Sequence, residues 1–378
     1  MNILLTPASI GAVEISNRIV MPPMTTRTAE EDGTVTEDTI AYYVARARGG
    51  VGLITVEMAA PEKAGRHRRR ELGIHDDRFL PGLTRLVAAI HESGAKASIQ
   101  LGHAGGHTRS DICGETPIAP SAIPHPVYEV TFETIIPDAM SHGRIDQTVQ
   151  SFAAAAVRAR SAGFDCVEIH GAHGYLLAQF LSPISNKRND QYGGDRAGRM
   201  KFPLAAAKAV RENWPERKPM FIRVSAVDGG GGWDVDDTVA YAHELKALGI
   251  DVIDTSSGGL AGLSTAAPIK RALGFQVPFA AAVRRGAGIP TMAVGLILDG
   301  SQAEKVLQDG DADLIAIGRQ ALYNPFWPVH AAQELGCDLN FEMWNPEYGW
   351  WLDKRKNNLP PEHSATGSAT GSAKGQPK

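Results

Sequence analysis

Several things are scarce in this sequence, and each scarcity excludes something. Three cysteines in 378 residues, Cys113, Cys166 and Cys337, are too few and too scattered for a disulfide framework or a thiolate metal cluster. That usage points to a reducing, cytoplasmic setting. No apolar run approaches the roughly 20 residues of a membrane span. The opening Met1-Asn2-Ile3-Leu4-Leu5-Thr6-Pro7 lacks the basic and apolar segments of a signal peptide. Charge of neither sign dominates: the net charge is −4 and the pI about 6.3, which argues against a general nucleic-acid binder. The one basic run, Arg66-His67-Arg68-Arg69-Arg70, is short. It reads as a solvated loop, with a loop near an anionic ligand as the alternative. The expectation is a soluble protein with a small-molecule substrate and no nucleic-acid or membrane partner.

What is present is apolar residues at 43% and 40 glycines, which suit a globular α/β enzyme with many tight turns. Eight short β-branched segments recur: 18–21, 52–57, 96–101, 166–169, 220–225, 252–255, 291–294 and 314–317. Most are preceded by helix-like stretches such as 39–48, 83–91, 147–161 and 237–248. Strands buried on both faces and alternating with helices pair in parallel. Eight such units, without repeated dinucleotide-type glycine turns, predict a TIM (β/α)8 barrel, with a doubly wound sheet as runner-up. Residues 103–146 are rich in proline and glycine and predict a capping excursion after the third strand, with a hairpin over Val127–Ile136. Residues 364–378 carry no apolar side chain except alanine and predict a disordered tail behind a single domain of residues 1–363.

The most loaded stretch is His170-Gly171-Ala172-His173-Gly174-Tyr175, immediately after the apolar segment that ends at Ile169. In parallel α/β proteins, strand carboxyl ends are where ligand chemistry is placed. The pair of histidines has three readings. Metal ligation lacks the spacing and glutamate of a His-Glu-x-x-His helix. Two satisfied polar side chains in a loop is the bland alternative. The third is a pair of donors aimed at a substrate oxygen, with Tyr175 as proton source.

Other strand ends favour the third reading. Val294-Gly295 and Ile317-Gly318-Arg319 end the last two strands, where barrel loops commonly bind phosphate through backbone N–H groups. Gln100 closes the third strand with an amide that donates and accepts. Arg223 lies inside an apolar fifth strand, where a charge is expensive unless an anion or an electron-rich ring edge pairs with it. Thr25 ends the first strand beside Pro22 and Pro23. A phosphate on one side of the mouth, with amide, guanidinium and hydroxyl groups across it, suits flavin mononucleotide (FMN).

The residues 17–25, Gln100-Leu101-Gly102-His103-Ala104-Gly105, Ala119-Pro120-Ser121-Ala122, 170–199, Ile222-Arg223-Val224-Ser225, Val294-Gly295 and 312–319 resemble, in order, the Old Yellow Enzyme family of FMN-dependent ene-reductases. The resemblance spans roughly residues 1–335 and is nearest the bacterial branch. It implies a barrel with FMN at its carboxyl-terminal mouth and NADH or NADPH as hydride donor. Pro23, Met24, Thr25 and the backbone near Met58 would line the isoalloxazine. Gln100 would bond its pyrimidine edge, and Arg223 would stabilise charge near N1 and O2. Gly295, Gly318 and Arg319 would hold the phosphate, His170 and His173 the substrate oxygen, and Tyr175 would protonate. It also implies a homo-oligomer, dimer or tetramer, with the aromatic segment from Trp344 near the interface. No site residue is assigned to a metal.

Four features depart from the family pattern. Thr25 stands where the bacterial branch usually has cysteine. Arg27 stands where it has tyrosine, and either favours an anionic substrate or pairs with Glu30, Glu31 or Asp32. Gly106-His107 stands where arginine commonly follows His-Ala-Gly. The carboxyl-terminal segment is unusually aromatic. The leading reading is reduction of an activated C=C bond by a ping-pong mechanism. The alternatives are oxidation of a small amine by N-demethylation, reduction of nitro compounds, a non-redox barrel, and an FMN-binding protein without turnover.

Overall fold

The computed structural model describes residues 2–126, 134–261, 270–356 and 358–360. The expected tail, 364–378, and most of the expected hairpin, 127–133, lie outside them. Eight strands form a closed parallel barrel: β1 Ile19–Met21, β2 Leu53–Ala59, β3 Lys96–Leu101, β4 Cys166–Gly171, β5 Met220–Ser225, β6 Val252–Ser256, β7 Thr291–Ala293 and β8 Leu314–Ala316. The barrel shuts where β8 pairs with β1, Ile315 opposite Ile19 and Ala316 opposite Val20. The TIM barrel read from the eight segments is therefore present.

Period-two alternation decides which side chains enter the barrel. On β4, Val167 and Ile169 join the outer core shared with the helices, while Cys166 joins the inner cluster. By the same parity Glu168 and His170 point inward. On β5, Met220, Ile222 and Val224 face the helices and Phe221 faces in, so Arg223 and Ser225 share the interior. The interior is thus apolar near the strand starts and polar near their ends.

The apolar end is stoppered. An antiparallel hairpin, Ala8–Ile10 with Val13–Ile15, puts Ala8, Val13 and Ile15 against Leu53, Phe221, Val252 and Leu314. Gly11 takes the turn at φ +54°, and a Cβ there would lie 2.9 Å from the Arg217 carbonyl oxygen. This hairpin has no counterpart among the eight expected strands.

The outer helices run longer than their apolar periodicity suggests, because caps extend them. Helix His142–Ala162 starts at Ser141, whose side chain accepts from the Arg144 N–H, and ends at Gly163 with φ +96°. Helix Arg196–Asn213 starts at Asp195 and carries Pro203 internally. Between β3 and its helix, the capping excursion holds a turn of helix, Ser110–Cys113, and a two-stranded parallel pairing of Ile118–Ala119 with Asp138–Ala139. Residues 134–136, the described end of the expected hairpin, belong to no strand.

Candidate active site

The loop after β4 is held in an uncommon shape. His173 has φ +60°, a left-handed conformation that costs a residue with a side chain about 1–2 kcal/mol. Close backbone approach imposes it: a Cβ on Gly259 would lie 2.1 Å from the His173 carbonyl carbon, and one on Gly174 2.1 Å from the Gly259 oxygen. The His173 N–H donates to Ser225 Oγ at 2.9 Å, and Ser225 Oγ donates to the Gly258 carbonyl at 2.7 Å. Three strand ends thereby fix one imidazole.

Around it the expected trio comes together. The His170 and His173 ring centres are 5.2 Å apart, and those of His170 and Tyr175 4.7 Å. His170 Nδ1 accepts from the Ala172 N–H at 3.4 Å, which leaves its proton on Nε2. His173 Nε2 and Ser256 Oγ are 2.7 Å apart. Burial lowers the pKa of both imidazoles, His170 well below 6.5 and His173 to about 3; the neighbouring His173 and Arg223 add to the effect on His170, and Arg223 to that on His173. Both rings are neutral donors at ordinary pH.

Three further histidines join from other loops. Tyr175 Oη lies 3.0 Å from His67 Nδ1, the His67 and His107 ring centres are 4.8 Å apart, and His107 stacks on His125 at 4.3 Å. These are the site's unexpected members. The reading of Arg66–Arg70 as a solvated loop needs correction: Arg66 and His67 are buried, and only Arg68, Arg69 and Arg70 are exposed. The cause is Glu71, whose buried carboxylate accepts the N–H groups of His67 at 2.7 Å and Arg68 at 3.0 Å and draws the loop inward. Burial, then the charges of Arg68, His125 and Arg27, takes the His67 pKa to about 3.

Beside His173 opens a cavity of about 520 Å³, lined by Pro23, Met24, Arg223, Ser256, Ser257, Gln276, Gly295, Gly318, Arg319 and Arg271 among others. Gly295 has φ +118°, and a Cβ there would sit 3.0 Å from Gln276 Nε2. Gly318 caps the short helix Arg319–Tyr323. The glycine ends of β7 and β8 therefore share one wall with Arg319, and Pro23 and Met24 lie in the same lining. Arg271 and Gln276 were not anticipated from the sequence; Gln276 accepts from Ser257 Oγ at 2.6 Å.

Below the cavity the barrel interior holds charge. Arg223 Nε lies 3.0 Å from Asp254 Oδ2, so its partner is a carboxylate of the next strand rather than a ligand alone. The two atoms are close but poorly aligned, and neither is hydrogen-bonded among the described residues. Gln100 Nε2 donates to Glu168 Oε1 at 2.8 Å, so one of its two N–H groups is already committed. Burial, then repulsion by Asp254, pushes the Glu168 carboxyl up to about 8, and burial raises Asp254 as well.

The remaining expected residues are split. Met58 is buried behind the site, where a Cβ on Gly102 would lie 2.6 Å from its Sδ. Thr25 is exposed; the next residue, Thr26, is the one engaged, giving its hydroxyl to Glu57 Oε1 at 2.6 Å. Arg27 is exposed at φ +57° and forms no ion pair among the described residues, so Glu30, Glu31 and Asp32 do not hold it. Among those residues no group of three or more histidine, cysteine or acidic side chains is placed to bind a metal ion.

A parallel barrel that gathers imidazoles, a phenol and a cavity lined by glycines and arginines at its carboxyl-terminal mouth has the layout of a barrel enzyme. The chain belongs to the NADH:flavin oxidoreductase / NADH oxidase family, whose model matches residues 3–338. An NADPH dehydrogenase of Geobacillus sp. (strain WCH70) is 46% identical over 349 residues, covering 92% of this chain and 98% of that protein. One from Listeria monocytogenes serotype 4a (strain HCC23) is 44% identical over 338 residues, covering 89% and 96%. Among solved structures, the Old Yellow Enzyme homologue of Zymomonas mobilis superposes with a TM-score of 0.74 at 27% identity, covering 86% of this chain and 91% of that one. Morphinone reductase in complex with tetrahydroNAD gives 0.74 at 29% identity, covering 88% and 91%. The protein is an NAD(P)H-dependent FMN oxidoreductase of the Old Yellow Enzyme family. The cavity suits that cofactor. Its volume lies in the range of small-ligand sites, and its glycines keep free the space a Cβ would fill.

Proposed function

We propose that the protein reduces the activated C=C bond of α,β-unsaturated carbonyl compounds, NAD(P)H and the alkene entering in turn. The observation that carries this reading is the convergence of two neutral imidazoles and a phenol beside the cavity. Bound FMN supplies the hydride relay between the nicotinamide and the alkene. The backbone at Gly295 and Gly318, with Arg319, would hold its phosphate. Pro23, Met24, Thr25 and the segment near Met58 would line its ring system. Arg223 and the free amide groups of Gln100 would face its pyrimidine edge.

His170 offers Nε2–H to the substrate oxygen, and His173 binds the same atom from the neighbouring position. Neutral donors polarise the carbonyl without surrendering a proton to it. A single such donor is worth about 3–4 kcal/mol as charge develops on the oxygen. Tyr175 delivers its proton to the α carbon. Arg27 and Arg68 act electrostatically on His67 beside this site. Positive charge there opposes a protonated amine and favours an acidic or neutral acceptor, which weighs against amine oxidation.

Under anaerobic conditions NADPH or NADH should bleach the bound flavin. Enones, nitro compounds and N-methyl amines are then offered separately. Return of the oxidised spectrum with enones supports the reading. Amines that bleach the oxidised flavin, together with enones that never restore it, would replace it. We further propose self-association through the segment from Trp344, where Tyr348, Trp350 and Trp351 are 53%, 56% and 67% exposed. Removing that segment should lower the sedimentation coefficient, and an unchanged profile would refute the assignment.

A further inference from the structure

We infer that Arg27 and Arg68 form a carboxylate-binding rim beside Tyr175, and that the acceptors reduced here carry an acidic group in addition to the activated alkene. The inference rests on the alkene-reducing role given to the site above and names its substrate class. Arg27 belongs to the loop after β1 and Arg68 to the loop after β2. Two guanidinium groups stitch those loops together: Arg66 Nη2 donates to the Glu31 carbonyl and Arg70 Nε to the Ala29 carbonyl, each at 2.9 Å. Arg27 and Arg68 stand exposed on the joined rim. His67 relates them to the site, since its Nδ1 is 3.0 Å from Tyr175 Oη. Burial, then the charges of Arg68, His125 and Arg27, keeps His67 neutral, so both cations reach as far as the ring that touches the phenol.

Each arginine is presented by a buried acid that grips the backbone beside it. Glu71 accepts the Arg68 N–H at 3.0 Å. Glu57, on β2, accepts the Thr26 N–H at 3.0 Å on Oε2 and the Thr26 hydroxyl at 2.6 Å on Oε1. On the far side of Arg27, Thr28 Oγ lies 2.7 Å from Thr26 Oγ and donates to Thr39 Oγ at 3.0 Å. Thr36 Oγ donates to the Thr28 carbonyl at 2.6 Å. Arg27 is therefore fixed on both sides. It takes φ +57°, a left-handed shape that a residue with a side chain keeps only where its surroundings impose it. Thr26 is thus a positioning residue for Arg27. Both acids are buried and turned onto these donors, whereas the two arginines are on the outside, so the face the rim offers a ligand is positive.

The test uses the holoenzyme and one pair of acceptors, a cyclic enone bearing a carboxylate and the methyl ester of the same compound. The readout is the KM for the ester divided by the KM for the acid, in variants whose retained FMN absorbance shows that they are folded. Wild type should favour the acid, and the preference should shrink as salt screens the rim. Arg27→Ala and Arg68→Ala should each cut the ratio by up to about fivefold, the scale of an exposed ion pair, and the double variant by more than either. Thr26→Val, which removes the hydroxyl that Glu57 accepts, should cut it by up to about threefold, a part of the same ion-pair scale. Thr26→Ser should restore it, and Thr26→Val should add nothing in the Arg27→Ala background. A wild type that favours the ester, or arginine variants with unchanged ratios, would overturn the inference. So would a raised KM for NADPH at an unchanged ratio, because the rim would then serve the phosphates of the dinucleotide. Thr26→Val without effect would overturn the positioning role of Thr26. Failure of every enone to reoxidise the wild-type flavin would instead overturn the alkene-reducing role itself.

Discussion

The two ends of the barrel interior are built from the same eight strands and do opposite things. Near the strand starts, Leu53, Cys166, Phe221, Val252, Met292 and Leu314 pack against the stopper hairpin. One step further along the same strands stand Thr55, Ser98, Glu168, Arg223 and Asp254, all buried and several without a hydrogen-bond partner among the described residues. Buried polar atoms without partners cost roughly 1–3 kcal/mol each, more when charged. The apolar end offsets that cost. Stability is concentrated where the chain is sealed, and chemistry where it opens.

That division can be broken first at the sealed end. Phe221→Ala removes a fully buried ring and should destabilise the protein by about 3–5 kcal/mol. The folded fraction should keep its flavin spectrum and its rate of reduction by NADPH. A denaturation curve read alongside that rate checks both, and a changed rate in folded protein would show that the two ends are not independent.

At the open end, Glu168 should make stability depend on pH. Its carboxyl titrates at about 8 when folded, against 4.5 ordinarily. Between those values the folded protein holds a proton that the unfolded chain has released. The contribution of Glu168 is therefore fully present below about 4.5 and is lost as pH rises towards 8. Glu168→Gln should flatten the fall. Denaturant midpoints at pH 5.5 and 8, with saturating FMN, should draw wild type below its pH 5.5 value by more than the variant. Equal shifts would mean the carboxyl is ionised inside the barrel.

The smallest effect is expected at the rim. Arg27→Ala should raise KM for an acidic enone about fivefold or less, the scale of an exposed ion pair, and leave a neutral enone unaffected. Steady-state kinetics on the two substrates decide it, and equal changes would remove Arg27 from substrate recognition.

Much of this was legible in the sequence, for identifiable reasons. The eight segments at β1–β8 announce themselves because strands buried on both faces are apolar runs. The trio His170, His173 and Tyr175 shares one short stretch, so its convergence needs no long-range contact. His67, His107 and His125 were not assigned to the site because none lies in the His170–Tyr175 stretch: His67 belongs to a basic run, and His107 and His125 to the excursion after β3. His67 in particular sits among four arginines, and the burial of Glu71, four residues further on, turns it inward. Arg223 was rightly suspect as a lone interior charge, but its pairing with Asp254 depends on the register of β5 and β6, which set the two residues opposite each other. The helix start at 142 was missed because a cap, not apolar periodicity, sets it.

The division of labour within the trio is tested most directly by Tyr175→Phe with two acceptors. An enone must gain a proton on carbon, whereas a quinone takes its protons on oxygen, which solvent can supply. Flavin pre-reduced with NADPH is mixed with each in a stopped-flow spectrometer. Loss of the phenol should slow reoxidation by the enone about 10²- to 10⁴-fold and leave reoxidation by the quinone within about threefold of wild type. Equal slowing with both acceptors, or none with the enone, would contradict the assignment of Tyr175 as the proton donor.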